Sequence, residues 1–169
     1  MSTSVLDPDA PLKIAYLTYR GKPHVGGQGV YTRHLTKALA DLGHTVEVFG
    51  GQPYPILDDR VTLTELPSLD TFNEYFPGRF PGFWELKTRE DALEMAQFVT
   101  GVFPEPLAFS ARAARELKPR AREFDRVHDT QCLGYGLLKI EEKIPTIVTL
   151  HHPITKDREL ELSHAQSWA

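Results

Sequence analysis

The stretch "HVGGQGVY" sets three glycines, Gly26, Gly27 and Gly29, between a strand-like run and a helix-like one. With Gln28 among them, they offer bare backbone at a helix start, where the first N–H groups lack partners and the dipole favours an anion. The fitting chemistry is the approach of a phosphate or a sugar with no Cβ in the way. A plain turn with no ligand fits the same residue types. Two phosphate motifs fail. The dinucleotide fingerprint G-x-G-x-x-G, counted from Gly27 and Gly29, needs a glycine where Thr32 stands. A P-loop counted from Gly21 reaches Gly26 and then meets Gly27 and Gln28 instead of a lysine and a hydroxyl.

Histidines supply the other candidate groups. His151 and His152 follow the run "PTIVTL", and His128 with Asp129 closes "FDRVHD". A metal is disfavoured at the first pair, because adjacent residues on an extended segment point to opposite faces and no nearby trio has zinc spacing. A histidine bonded to backbone at a strand end is the plain alternative. The His128-Asp129 dipeptide matches a phosphohydrolase motif that belongs to helical folds, whereas here it ends a strand. It reads either as a wall of a ligand pocket or as a buried, satisfied pair. His44, just after Gly43, reads as structural, and His24 as a solvated loop residue.

Parallel strands and crossover helices must position these groups. "KIAYLTY" (Lys13 to Tyr19) reads as a first strand. Tyr31, Leu35, Ala38, Leu39 and Leu42 recur at helical spacing and predict a buried helix face, ended by Gly43. "HTVEVFG" (His44 to Gly50) returns as a second strand, so the unit is a right-handed β-loop-α-β. Further strands are read at Val61 to Leu66, Phe124 to Asp129 and Pro145 to His151. Ala92, Ala96 and Val99, then Leu107, Ala111, Ala114 and Leu117, mark two helices. The stretch from Pro67 to Pro106, rich in proline, glycine and aromatics, reads as an elaborated crossover. The fold class is α/β, with a mainly parallel, Rossmann-like sheet. In such sheets ligands bind beyond the C-terminal strand ends, where the glycines and histidines lie.

Composition agrees with one soluble domain. The 169 residues are 41% hydrophobic and 25% charged, with a net charge of −4 that gives no reason to expect nucleic acid. Mean hydropathy is −0.32, and no run approaches the length of a membrane span. A single cysteine, Cys132, rules out an intrachain disulfide and points to a reducing, cytoplasmic setting. Residues 1–11 carry no signal-peptide pattern and read as a disordered tail before a domain over residues 12–169.

The glycine pair followed by Tyr31, "L-x-x-x-G-H-x-V" from Leu39 to Val46, "FDRVHDTQCLGYGLL" and "IPTIVTLHHP" together resemble the N-terminal half of a retaining glycosyltransferase of family 4, with the GT-B fold. The resemblance implies hexose transfer from a nucleotide-diphosphate sugar to a sugar, sugar-phosphate or lipid-linked acceptor, with no metal or other cofactor. It makes His151 (of Thr149-Leu150-His151) the catalytic histidine that reaches the donor sugar, with His152 as the rival in the doublet. It makes Gly26, Gly27, Gln28, Gly29, Tyr31, His128, Asp129 and His152 substrate-binding. The donor-gripping basic pair and E-x7-E motif belong to a second domain absent from these 169 residues, so this chain alone is expected to be inactive. The exposed cleft face is expected to favour self-association. A stand-alone α/β module binding a phosphorylated metabolite is the competing reading. Finally, Arg112, Arg115, Lys118 and Arg122 form a basic cluster that reads as a solvated face or as a contact with an anionic membrane.

Overall fold

The computed structural model describes residues 10–23, 27–71, 79–100 and 105–151. Gly26, His24, His152, most of the expected N-terminal tail and the C-terminal stretch after His151 lie outside those residues. Five parallel strands form one sheet in the order β3-β2-β1-β4-β5: β1 (Lys13–Thr18), β2 (Thr45–Gly50), β3 (Thr62–Glu65), β4 (Arg126–Thr130) and β5 (Thr146–Thr149). All five coincide with the runs of strand formers, and β1 is apolar from Ile14 to Leu17 because helices cover both faces.

Among the described residues four α-helices connect them: α1 (Gly27–Asp41), α2 (Arg89–Val99), α3 (Glu105–Leu117) and α4 (Gly136–Glu141). Alternation along β1 and β2 divides the core. Ala15, Leu17 and Phe49 pack with Phe109, Ala113, Leu117 and Ile140 of α3 and α4. Tyr16, Val46 and Val48 pack on the other face with Leu35 and Leu39 of α1. Gly43, at φ 90°, ends α1 as expected. Its N–H reaches Ala40 O at 3.0 Å and that of His44 reaches Leu39 O at 3.1 Å, a Schellman cap. His44 Nδ1 accepts from Leu12 N at 3.2 Å, a structural tie into β1.

Two helix faces differ from the sequence reading. On α1 the buried residues are Gly29, Thr32 and Thr36, while Tyr31 and Ala38 are exposed and Leu42 is 74% exposed. The cause is close approach. A Cβ on Gly29 would stand 1.9 Å from Lys22 O, so small residues must face inward there. Thr36 Oγ1 is satisfied by donating to Thr32 O at 2.8 Å. On α2 the expected face of Ala92, Ala96 and Val99 is exposed, and the buried residues are Asp91 and Glu94.

Arg112 explains the second difference and corrects another expectation. Its guanidinium, 3% exposed, contacts Asp91 Oδ1 and Glu94 Oε2, each at 2.6 Å. A buried arginine needs carboxylates beside it, so α2 turns its acidic residues inward against α3. Arg112 therefore takes no part in a surface patch. Arg115 is exposed but paired with Glu90, and Lys118 and Arg122 are exposed as well. α4 was not anticipated; Gly134 and Gly136 let its start press against Ser110 of α3, where a Cβ would meet atoms 2.1 Å away.

Candidate active site

The C-terminal ends of β1, β4 and β5 and the first turns of α1 converge. Gln28 Nε2 donates to Thr130 O at 2.6 Å, tying the start of α1 to the end of β4. Tyr31, one turn further, lies edge-on to His151, with ring centroids 4.7 Å apart and planes at 83°. The backbone N–H of His151 donates to Gln131 Oε1 at 2.9 Å. Gln131 is buried, with a left-handed backbone (φ 54°) directly after β4. Backbone strain of that kind persists only where the surroundings fix it, and here it aims the amide at the histidine.

His128 completes the group. Its Nε2 lies 2.7 Å from Thr149 Oγ1, a hydrogen bond whose direction follows the imidazole tautomer. Its ring also stands against Tyr16, with centroids 5.0 Å apart. Burial, with His151 nearby, pushes its pKa below the ordinary histidine value, so the ring is neutral at neutral pH. Beneath it the buried Tyr16 phenol sits beside Thr130 and Thr32, and none of the three hydroxyls makes a hydrogen bond of good geometry.

The glycines divide by role. Gly29 is needed for packing. Gly27, the first residue of α1, has open space where a Cβ would stand among the described residues. The helix start is thus approachable through Gly27, as an anion site requires.

Asp129 departs from the grouping expected for it. Successive strand residues point to opposite faces, so His128 joins the cluster and Asp129 turns toward the α3 side. It is fully buried there, with Oδ2 accepting from Cys132 N at 3.0 Å and Oδ1 unpartnered. Burial raises its pKa to about 6, against the backbone N–H groups that lower it. Asp129 therefore walls no open pocket in this structure. A groove of about 360 Å³ between α3 and α4, with Leu107, Ala111 and Tyr135 in its lining, shares no residue with the cluster.

The cluster contains the Gln28 and Gln131 amides, the Tyr31 phenol, the His128 and His151 imidazoles, the Thr149 hydroxyl and a helix start. It can bind hydroxyls and an anionic oxygen. Among the described residues no group of three or more His, Cys, Asp or Glu side chains could hold a metal ion. Sequence reasoning named Gln28, Tyr31, His128 and His151, and these come together; it missed Gln131, for which a position two residues past His128-Asp129 was the one signal.

An open five-stranded parallel sheet flanked by helices is a Rossmann-like α/β fold, consistent with the N-terminal domain of a GT-B glycosyltransferase. The chain belongs to glycosyltransferase family 4, whose sequence model matches residues 25–169. It is 55% identical over 159 residues to a curated protein of Mycolicibacterium hassiacum named "MMP alpha-(1->4)-mannosyltransferase". That match covers 93% of this chain and 39% of the relative, so the chain corresponds to part of the longer protein's length.

Proposed function

We propose that this chain is the acceptor-side half of a retaining mannosyltransferase. The full enzyme moves mannose from a nucleotide-diphosphate sugar to the 4-hydroxyl of a sugar acceptor and leaves an α linkage. The sugar and the linkage follow the relative's printed name. The observation that carries the reading is the placement of His151, held by Gln131 and flanked by Tyr31, at the open start of α1.

In this reading a His151 ring nitrogen hydrogen-bonds a hydroxyl of the donor sugar and fixes the reacting face. The N–H groups at the start of α1 take charge from the departing diphosphate. Such preorganised dipoles stabilise the charge that builds as the sugar becomes oxocarbenium-like. The neutral His128 and Thr149 offer hydrogen bonds to the acceptor. No metal is required, because donor contacts from the other half of the enzyme neutralise the diphosphate. The reading places the enzyme in the cytoplasm, a setting that suits the single, buried thiol of this chain.

A chimera tests this directly. The aligned N-terminal part of the Mycolicibacterium hassiacum mannosyltransferase is replaced by this chain, and mannosyl transfer is followed with a nucleotide-diphosphate mannose donor. The chimera should transfer mannose with retained α configuration, read by NMR of the product, and the 169-residue chain alone should transfer none. A folded chimera with no transfer, beside an active parent, would overturn the reading.

A further inference from the structure

We propose that the Arg20–Glu105 ion pair positions the start of α1 for the transfer step, a role that rests on the carbohydrate-transfer reading above. Arg20 stands two residues past β1, and Glu105 is the first residue of α3. Arg20 Nη2 donates to Glu105 Oε1 at 2.7 Å, with the side chains 27% and 12% exposed, so water screens the pair little. α1 and α3 pack on opposite faces of the sheet, and the pair forms at the end of β1 between them.

The turn that begins at Arg20 is the seat of the helix. A Cβ on Gly29 would stand 1.9 Å from Lys22 O and 2.7 Å from the Gly21 carbonyl, so the backbone of Gly21 and Lys22 lies directly against the first turn of α1. Gly21 N donates to Pro53 O at 2.8 Å, and Thr18 Oγ1 donates to Arg20 O at 3.1 Å. Those bonds hold the turn to β1 and to the segment after β2. The ion pair ties it to α3. A shift of Arg20 therefore passes through Gly21 and Lys22 to Gly29, two residues from the open helix start at Gly27.

The pair is a poor device for stability. Glu105 Oε2 is enclosed and makes no hydrogen bond among the described residues. Arg112, which lines the same small void, is bonded to Asp91 and Glu94 instead. Burial raises the Glu105 pKa to about 7 although Arg20 faces it, so desolvation of the carboxylate outweighs its attraction to the guanidinium. Apolar side chains of similar volume would pack there as well or better. A charge kept at such a place orders its partner, and the partner here carries the seat of α1.

The test uses the chimera described above at about pH 8, where the Glu105 carboxylate is ionised, with α-(1→4)-linked mannotetraose as acceptor. Arg20→Met/Glu105→Met removes both charges and keeps the bulk, so it should unfold at the unsubstituted temperature or higher. Its kcat should nevertheless fall about tenfold or more, with the acceptor KM within about twofold, because a misplaced helix start loses an interaction made in the transition state. Hydrogen exchange should quicken in the first two turns of α1 while β2 keeps its protection. Transfer at the unsubstituted rate by the folded double variant would overturn the proposal and leave the mannosyltransferase reading standing. Transfer lost together with stability would overturn it as well, by making the pair a packing contact. So would lost transfer with unchanged exchange at the start of α1. Absence of transfer by the unsubstituted chimera would overturn both.

Discussion

The Tyr31 ring meets the His151 imidazole edge-on, 4.7 Å between centroids and 83° between planes, joining the first helix to a residue two positions past the last described strand. This contact, with the Gln131 amide behind it, gives a histidine on an irregular segment one defined position. Tyr31 is partly exposed, so the fold does not depend on it.

Tyr31→Ala should therefore act on His151 and not on stability. An edge-on aromatic pair contributes about 0.5–1.5 kcal/mol, so mannosyl transfer by the chimera should fall about two- to tenfold. Tyr31→Phe should restore it. Thermal unfolding that moved by more than a degree or two would show that the residue packs the core instead.

Gly27 and Gly29 should behave differently although they are two residues apart. Gly29→Ala puts a Cβ against Lys22 O and should destabilise by about 1–3 kcal/mol, read by urea unfolding. Gly27→Val meets open space and should fold as wild type, while blocking approach to the start of α1. Similar loss of stability in both variants would contradict the division of roles.

Arg112→Ala leaves Asp91 and Glu94 buried without their cation. The expected cost is about 3–5 kcal/mol, within reach of global unfolding for a domain of this size. A triple replacement of Arg112, Asp91 and Glu94 by apolar residues of similar volume should recover most of it. If Arg112→Ala unfolded at the wild-type urea concentration, the ion cluster would not be what holds α2 on α3.

Asp129 gives the pH dependence. Its native pKa is raised from 3.8 to about 6, so the native state holds the proton more tightly than the unfolded chain. Stability from this group is fully present below about pH 4 and is lost as pH rises through about 6. Asp129→Asn removes the charge and keeps an oxygen for Cys132 N. Relative to wild type, its stability should rise between about pH 4 and 6 and stay level above. Glu105 moves the same way: burial raises it to about 7 although Arg20 lies 2.7 Å away. A variant whose stability relative to wild type did not change with pH would rule out a buried, unpaired Asp129 oxygen.

β1 was legible as an apolar run because it is covered on both faces, β2 keeps the same pattern around the buried Glu47, and Gly43 marked the end of α1 correctly. The helix faces were less legible. Gly29, Thr32 and Thr36 face inward on α1 because a backbone approaches closely, and small residues leave no hydrophobic period. α2 hides acidic residues because of one arginine on a different helix, a pairing with no local signature. At the site, residue types together with the family resemblance singled out Gln28, Tyr31, His128 and His151. Their meeting, and the turn of Gln131 toward them, depends on strand order, which pattern alone does not disclose. Asp129 was open between a pocket wall and a buried pair with His128, and the fold buries it on the opposite face of β4.

The most direct measurement is calorimetric titration of the 169-residue chain with a nucleotide-diphosphate mannose and with α-(1→4)-linked mannotetraose, wild type against Gly27→Val. The account predicts weak binding of the tetraose, diminished by the valine, and negligible binding of the nucleotide sugar. Tight nucleotide-sugar binding by this chain alone would contradict an acceptor-side half and favour a self-sufficient binding module.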